Sequence, residues 1–182
     1  INDNVYFATM MVKVGDADGM VSGAIHSTAD TLRPALQIIK PEDGIQTVSS
    51  FILMDIPNCE LESNGRYIFA DCGLIENPTS MQLADVAIAA ATSYKKFMGD
   101  EPKVALLSYS TYGSAKGEAI DKIKNTLEFL KEAKVEFEVD GELQLDAAII
   151  PEVATMKAPT STVAGHANVL IFPNIESGNI GY

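Results

Sequence analysis

Residues 22–34 combine backbone and side-chain features that could hold an anion. The stretch reads Ser-Gly-Ala-Ile-His-Ser-Thr-Ala-Asp-Thr-Leu-Arg-Pro. Glycine lets the backbone approach a ligand, Ser27 and Thr31 carry hydroxyl donors, and Arg33 can bind phosphate through two parallel N–H groups. A helix that begins here would add unpaired N–H groups. The residues therefore predict a phosphoryl or carboxylate site, although a capped helix with one surface arginine fits the composition as well.

A second polar stretch, residues 107–117, reads Leu-Ser-Tyr-Ser-Thr-Tyr-Gly-Ser-Ala-Lys-Gly. It has a single glycine before Lys116, so it lacks the glycine spacing of a P-loop and does not predict a nucleoside triphosphate site. A polar turn after a strand is at least as good an interpretation. The sequence alone does not decide between a ligand-binding loop and a turn.

Small residues also surround an apolar run in the third stretch, residues 157–173, and again at 177–182. Lys157 and His166 could each contact a ligand there. A lone histidine beside a strand is more often packed or solvated than catalytic, and we interpret His166 in that way.

Three carboxylates, Asp140, Glu142 and Asp146, lie close together in sequence. Asp140-Gly141-Glu142 is typical of a turn followed by a helix N-terminus, where acidic residues suit the helix dipole. A divalent metal is weakly supported, and we predict no metal site. The chain has no G-x-S-x-G sequence that would indicate Ser-His-Asp catalysis.

The overall charge restricts the choice of partners. The 182 residues carry a formal net charge of -12, which disfavours nucleic acid and anionic membranes. The chain has two arginines, and we expect the second, Arg66, to pair with an acid such as Glu60 or Glu62 at the surface. Cys59 and Cys72 form no C-x-x-C pair, which favours a reduced, cytoplasmic protein. No apolar run is long enough to predict a membrane span.

Apolar periodicity and turn residues predict alternating helices and strands. The first predicted helix is capped by Asn2 or Asp3 and is stopped by Gly15. The others are one from Asp30 onward with Pro34 in its first turn, 80–98, 118–133, 143–156 interrupted at Pro151, and one that begins near the end of the chain. The predicted strands are 19–23, 48–56 and 66–72 as an antiparallel pair, 103–108, 135–139 and 167–172. A hinge is predicted at residues 40–44.

This alternation predicts an α/β fold, with three layers (α/β/α) and a mainly parallel sheet. Ligands of such folds bind beyond the carboxyl ends of the strands. The loops after Val21, Ser108 and Phe172 are therefore the places where we expect chemistry.

The three polar stretches, in this order and together with Phe69-Ala70-Asp71-Cys72-Gly73, resemble the phosphate acetyltransferase family over essentially the whole chain. The resemblance implies a two-domain enzyme similar in fold to the isocitrate and isopropylmalate dehydrogenases, usually a homodimer, with its active site between the domains. Residues 1–44 would be part of the first domain, with the phosphate-binding loop. Residues 45–182 would form the second domain, which borders the coenzyme A cleft.

The resemblance also implies the reaction, a reversible transfer of acetyl between coenzyme A and inorganic phosphate. Coenzyme A would be a substrate, and no tightly bound cofactor is expected. The phosphoryl group would be bound by Ser27, Thr31 and Arg33. The possible coenzyme A contacts are Ser110, Ser114, Lys116, Lys157 and Asn179.

The family places its catalytic serine, arginine and aspartate in a later segment, which we expect beyond Tyr182. We therefore expect the chain to be a central fragment that is inactive by itself. A phosphate butyryltransferase and a non-catalytic, acetyl-CoA-sensing domain like that of some malic enzymes remain the alternatives.

Overall fold

The computed structural model describes residues 2–41, 45–61 and 63–182. The chain divides into two compact units, Ile1–Val48 and Ser49–Tyr182. Glu42 to Gly44, the greater part of the predicted hinge, lie outside the described residues.

The first unit begins with helix α1, Asn4–Val14. Asp3 caps it by accepting hydrogen bonds from the Val5 and Tyr6 N–H groups, each at 2.9 Å. Gly15 ends the helix in the left-handed conformation, at φ 84°, which glycine adopts without strain. These bounds confirm the predicted helix.

Helix α2, Thr28–Pro34, starts earlier than predicted because Ser27, and not a later residue, is its cap. Pro34 is consequently the last residue of the helix and does not lie in its first turn. Proline lacks an N–H group and its ring crowds the carbonyl four residues before it, so regular α-helical winding stops there. The chain continues as a π-helix, Ala35–Ile39, in which the Lys40 N–H donates to the Ala35 carbonyl at 3.0 Å.

The strand predicted at residues 19–23 is wrong. This segment is irregular and Val21 is fully exposed. A strand needs a hydrogen-bonded neighbour, and the described part of the first unit contains helices but no other strand. A short apolar run was therefore not enough to make one.

The second unit is built on a five-stranded sheet in the order β1-β2-β5-β3-β4. The strands are β1 Phe51–Asp55, β2 Arg66–Ala70, β3 Lys103–Leu107, β4 Glu138–Leu143 and β5 Val169–Ile171. β1 and β2 are antiparallel and the other pairings are parallel, as predicted. The mainly parallel α/β class is confirmed.

Helices cover both faces of this sheet. They are α3 Ser80–Met98, α4 Glu118–Glu132, α5 Leu145–Ile149, α6 Pro151–Lys157 and α7 Ile175–Gly181. Since side chains alternate along a strand, Ile68 and Val104 pack with α3 and α4, whereas Phe69 and Ala105 pack in a second cluster that includes α5 and α6. This arrangement gives the three layers expected from the sequence.

Strand β4 lies several residues later than predicted, so Asp140, Gly141 and Glu142 belong to a strand and not to a turn and helix N-terminus. The register with β3 explains the difference. Gly141 lies against Leu106 so closely that an added Cβ would be 2.8 Å from the Leu106 Cβ. Pairing with β3 and the burial of Glu142 outweigh the low strand propensity of Asp-Gly.

Within the described residues, no helix has the length and apolar character needed to cross a membrane.

Candidate functional site

The predicted phosphate-binding residues Ser27 and Arg33 meet at Asp30. The Ser27 hydroxyl donates to the Asp30 carboxylate at 2.7 Å and accepts from the Asp30 N–H at 3.1 Å. Arg33 Nη1 lies 3.3 Å from the same carboxylate. The hydrogen bond from Ser27 and then the charge of Arg33 lower the pKa of Asp30, because both favour its ionised form.

Arg33 is exposed in this arrangement, whereas the hydroxyl of Thr31 is not. The Arg33 side chain is 56% exposed, so its guanidinium is open to solvent on the side away from Asp30. The Thr31 Oγ1 atom is buried and forms no hydrogen bond with a described residue. The role of Asp30 was missed in the sequence, although the i, i+3 spacing of Asp30 and Arg33 on a helix is a signal for such a pair.

A cleft of about 1010 Å³ lies in the second unit, where the chain leaves the carboxyl ends of β3 and β5; we call it the carboxyl-edge cleft. Its apolar walls include Leu107, Tyr109 and Phe172, and amide and hydroxyl side chains lie among them. This is where ligands of parallel α/β sheets bind. The predicted loops after Ser108 and Phe172 both contribute to it.

Lys122 is the cation that lines this cleft, and sequence reasoning missed it. Its Nζ donates to the Pro173 carbonyl at 2.7 Å and to Asn77 Oδ1 at 3.0 Å. Burial lowers the pKa of Lys122 because it disfavours the charged form. The side chain therefore joins the loop that follows β5 to the segment that precedes α3.

The five residues predicted to border coenzyme A, all within the described part of the chain, do not line the carboxyl-edge cleft. Ser110 is buried and bonds with Ser114 at 3.1 Å, while Lys116 is exposed in the same loop. Lys157 pairs with Asp146 at 2.8 Å, and Asn179 donates to the Cys72 carbonyl at 3.2 Å. Their assignment to coenzyme A stays a prediction.

The three neighbouring carboxylates have separate partners. Asp140 accepts hydrogen bonds from Tyr112 and Ser161, whereas Asp146 is paired with Lys157. Glu142 is 2% exposed and points under the loop after β3. Across the residues that the structure describes, no group of three or more His, Cys, Asp or Glu side chains is placed to hold a metal.

Glu142 holds the loop after β3 in place. Its Oε1 atom accepts from the Gly113 N–H at 2.6 Å and from the Ser110 hydroxyl at 3.0 Å. Burial by itself would raise the pKa of Glu142, but the Gly113 and Ser110 hydrogen bonds, with the charge of Lys124, outweigh it and lower the pKa. The sequence did not predict this role, because Glu142 was expected in a turn and helix N-terminus and not in β4.

We expect Glu142→Gln to lower the free energy of unfolding at pH 7 by about 2 kcal/mol, since hydrogen bonds to a charged acceptor are worth about 1.5 to 3 kcal/mol each and some acceptor capacity remains. Because folding lowers this pKa, the wild-type advantage is present above its ordinary value of 4.5 and is lost as the pH falls through the folded-state pKa. Urea unfolding at pH 7 and at acidic pH measures both effects. Glu138→Gln, at an exposed position of the same strand, is the matched control. An equal effect of both substitutions would contradict the role given to Glu142.

Arg66 pairs with Asp100 at 3.4 Å, so the predicted pairing with Glu60 is wrong, and Glu62 lies outside the described residues. The partner comes from the turn after α3, 34 residues away, which local sequence does not reveal.

Arg66→Ala is expected to lower the free energy of unfolding by less than about 1 kcal/mol, because exposed ion pairs contribute little. Both side chains are at least 40% exposed. Thermal unfolding measures the effect. Loss of phosphate binding by a folded Arg66→Ala variant would show that the residue belongs to the site.

A mainly parallel sheet with helices on both faces defines the class, an α/β protein, and the cleft lies at the carboxyl edge of the sheet, where ligands of this class bind. The family model for "phosphate acetyl/butaryl transferase" matches residues 1–182, and the chain belongs to this family, as its sequence resemblance indicated. The phosphate acetyltransferases of Acetivibrio thermocellus and Clostridium acetobutylicum are 55% and 56% identical to it over 182 residues. These matches cover 100% of this chain and 55% of each relative.

A solved structure also matches nearly the whole of this chain. The crystal structure of a phosphotransacetylase from Streptococcus pyogenes matches 97% of this chain and 52% of its own length, with a TM-score of 0.86 and 50% identity. The chain thus spans about half the length of the relatives that it matches.

Proposed function

We propose that this chain is part of a phosphate acetyltransferase, which transfers acetyl between coenzyme A and inorganic phosphate. The observation that carries the proposal is the match along all 182 residues to relatives with that name at 55% and 56% identity. In the reaction, the coenzyme A thiolate attacks the acetyl carbon of acetyl phosphate. The carbon–oxygen bond to phosphate breaks, phosphate departs with the bonding electrons, and a base takes the thiol proton.

Arg33, Ser27 and Thr31 bind the phosphoryl group in this proposal. The exposed guanidinium of Arg33 offers a charge-assisted fork, and the phosphoryl oxygens compete for it with Asp30. Thr31 Oγ1, which has no hydrogen-bonding partner among the described residues, supplies a further donor. Ser27 holds Asp30 and therefore sets the position of Arg33.

The finer assignments belong to the same proposal. Residues 1–44 are part of a first domain and residues 45–182 form a second one, in a fold like that of the isocitrate and isopropylmalate dehydrogenases. Coenzyme A is a substrate and no cofactor is tightly bound. The general base lies in the part of the relatives' length that this chain does not span, and the whole protein is a cytoplasmic homodimer.

A chimera tests the function of residues 1–182, because a relative supplies the rest of the enzyme. In it, residues 1–182 replace the matched stretch of the Acetivibrio thermocellus relative. We expect the chimera to form acetyl-CoA from acetyl phosphate and coenzyme A, with a higher kcat/KM than for butyryl phosphate. A preference for butyryl phosphate would indicate a butyryltransferase. Binding of acetyl-CoA by a folded chimera without turnover would favour a sensor.

A further inference from the structure

We propose that Asp71 is a positioning residue for acetyl transfer and that it holds two walls of the carboxyl-edge cleft in place. The proposal rests on the proposed function, which supplies the reaction. Asp71 was not among the site residues predicted from the sequence, and it lies outside the lining of the cleft. It therefore acts through the backbone that it holds.

The Asp71 carboxylate fixes the chain that follows β2, residues 71–76, which we call the β2 loop. Asp71 is 2% exposed. The Gly73 and Leu74 N–H groups donate to its Oδ1 atom at 2.9 and 3.0 Å, and the Ile75 N–H group donates to its Oδ2 atom at 3.3 Å. Because an aspartate carboxylate can accept from several N–H groups of its own turn at once, these bonds set the path of the β2 loop.

The same carboxylate holds the start of β1. Ser50 donates to it through its N–H group, at 3.3 Å, and through its hydroxyl. Ser50 directly precedes β1, whose first residue, Phe51, pairs with Ala70 at the end of β2. Asp71 thus ties the β2 loop to the edge of the sheet. The loop cannot shift without the loss of buried hydrogen bonds, which is costly.

Helix α7 rests on the β2 loop. The Ile175 N–H group donates to the Glu76 carbonyl at 3.0 Å. Gly178 lies so close to the loop that an added Cβ would be 2.6 Å from the Asp71 carbonyl oxygen. The position of α7 is therefore set by the backbone that the Asp71 side chain holds.

The β2 loop and α7 both continue into the lining of the carboxyl-edge cleft. Asn77 and Pro78 follow the β2 loop directly, and they line the cleft. Asn174, the cap of α7, and Ser177 line it as well. A displaced β2 loop would move both sets of residues at once. Since a misplacement of about 1 Å can cost about 10²-fold in rate, such a shift would leave the bound substrates badly oriented.

Asp71→Asn in the chimera tests the proposal. The substitution keeps the shape of the side chain but turns one acceptor oxygen into an NH₂ donor, so two backbone N–H groups lose their acceptor whichever oxygen is replaced. We expect kcat to fall about 10- to 100-fold. The KM for acetyl phosphate should stay within about twofold, because Arg33, the proposed phosphoryl ligand, belongs to the first unit.

Asn168→Ala is the matched control. Asn168 is also buried and also holds two backbone groups, the Lys103 N–H at 2.8 Å and the Glu101 carbonyl at 3.1 Å, but at the amino edge of the same sheet. This variant should lower the Tm and leave kcat within about twofold, measured well below the Tm. If Asp71 had a merely structural role, Asp71→Asn would give the same result as Asn168→Ala.

Gly178→Ala is a second variant, which leaves the Asp71 hydrogen bonds in place. Its methyl group should force α7 away from the β2 loop and lower kcat by about tenfold or more, again with little change in the KM for acetyl phosphate. Circular dichroism shows whether each variant is folded. Gly178→Ala decides if Asp71→Asn is unfolded. If both are unfolded, Ser50→Ala, which removes one hydroxyl donor, decides by a fall in kcat of at least about threefold.

Amide resonances of the ¹⁵N-labelled 182-residue chain report the positioning without reference to activity. Asp71→Asn should shift the resonances of Asn77 and Ser177, whereas Asn168→Ala should not. The proposal is overturned if the deciding variant keeps kcat within about twofold of the unsubstituted chimera, if Asn168→Ala lowers kcat as much, or if the two resonances do not move. An unsubstituted chimera without transferase activity would instead remove the proposed function, and the resonances alone would then decide whether Asp71 holds the cleft walls.

Discussion

Residues 1–182 alone are expected to form acetyl-CoA at least about 10²-fold more slowly than the chimera. The family resemblance places the base and the oxyanion donors outside this stretch. Losing a general base costs about 10²- to 10⁴-fold in rate, and losing one oxyanion donor costs about 10²- to 10³-fold. The residues that we propose to bind phosphate are present in both proteins, so their absence cannot account for the difference in rate.

The two proteins are assayed side by side for acetyl-CoA formation from acetyl phosphate and coenzyme A. Circular dichroism of the 182-residue chain serves as the control, since an unfolded chain would be inactive for a trivial reason. Turnover by the chain within about tenfold of the chimera, about 1.4 kcal/mol, would place the catalytic groups inside residues 1–182.

Arg33→Ala in the chimera is expected to lower kcat/KM for acetyl phosphate about 10- to 100-fold. A charge-assisted bidentate contact is worth about 1.5 to 3 kcal/mol, and the phosphoryl group would lose both parallel donors. The competing ion pair of Arg33 with Asp30 is exposed on both sides, so it offsets little of this effect. The KM for coenzyme A should change much less.

Arg66→Ala is the matched control, because it removes the other arginine and its exposed ion pair with Asp100. Initial rates with acetyl phosphate, and with phosphate in the reverse direction, give both values of kcat/KM. If Arg33→Ala leaves both within about twofold, less than 0.5 kcal/mol, Arg33 does not bind the phosphoryl group.

Elements with strong local signals were predicted from sequence. Helix α3, Ser80–Met98, has the predicted bounds because Thr79 and Gln82 form a capping box and Gly99 ends the helix. The residues of each signal lie within a few positions of one another. They can therefore be recognised in the sequence without knowledge of the tertiary structure.

Elements that depend on distant partners were not predicted. Asp140-Gly141-Glu142 favours a turn locally, but pairing with β3 and the buried contacts of Glu142 make it a strand. Residues 19–23 show the reverse case, since an apolar run became irregular where the described unit supplies no strand to pair with it.

The site shows the same division. Ser27 caps a short helix that carries Arg33, and their spacing alone brings both to Asp30. Lys122 reads as a surface lysine of an amphipathic helix. Its place in the cleft depends on α4 packing beside Asn77 and Pro173, which are 45 and 51 residues away.

The most direct test of the proposed acetyl transfer is the exchange of labelled inorganic phosphate into acetyl phosphate by the chimera. Acetyl transfer to coenzyme A and back returns the acetyl group to a different phosphate, so label is expected in acetyl phosphate when coenzyme A is present. If the acetyl group passes directly from one substrate to the other, with no acetylated enzyme between them, no label should enter acetyl phosphate without coenzyme A. Absence of label with coenzyme A, or equal labelling without it, would contradict the proposed function.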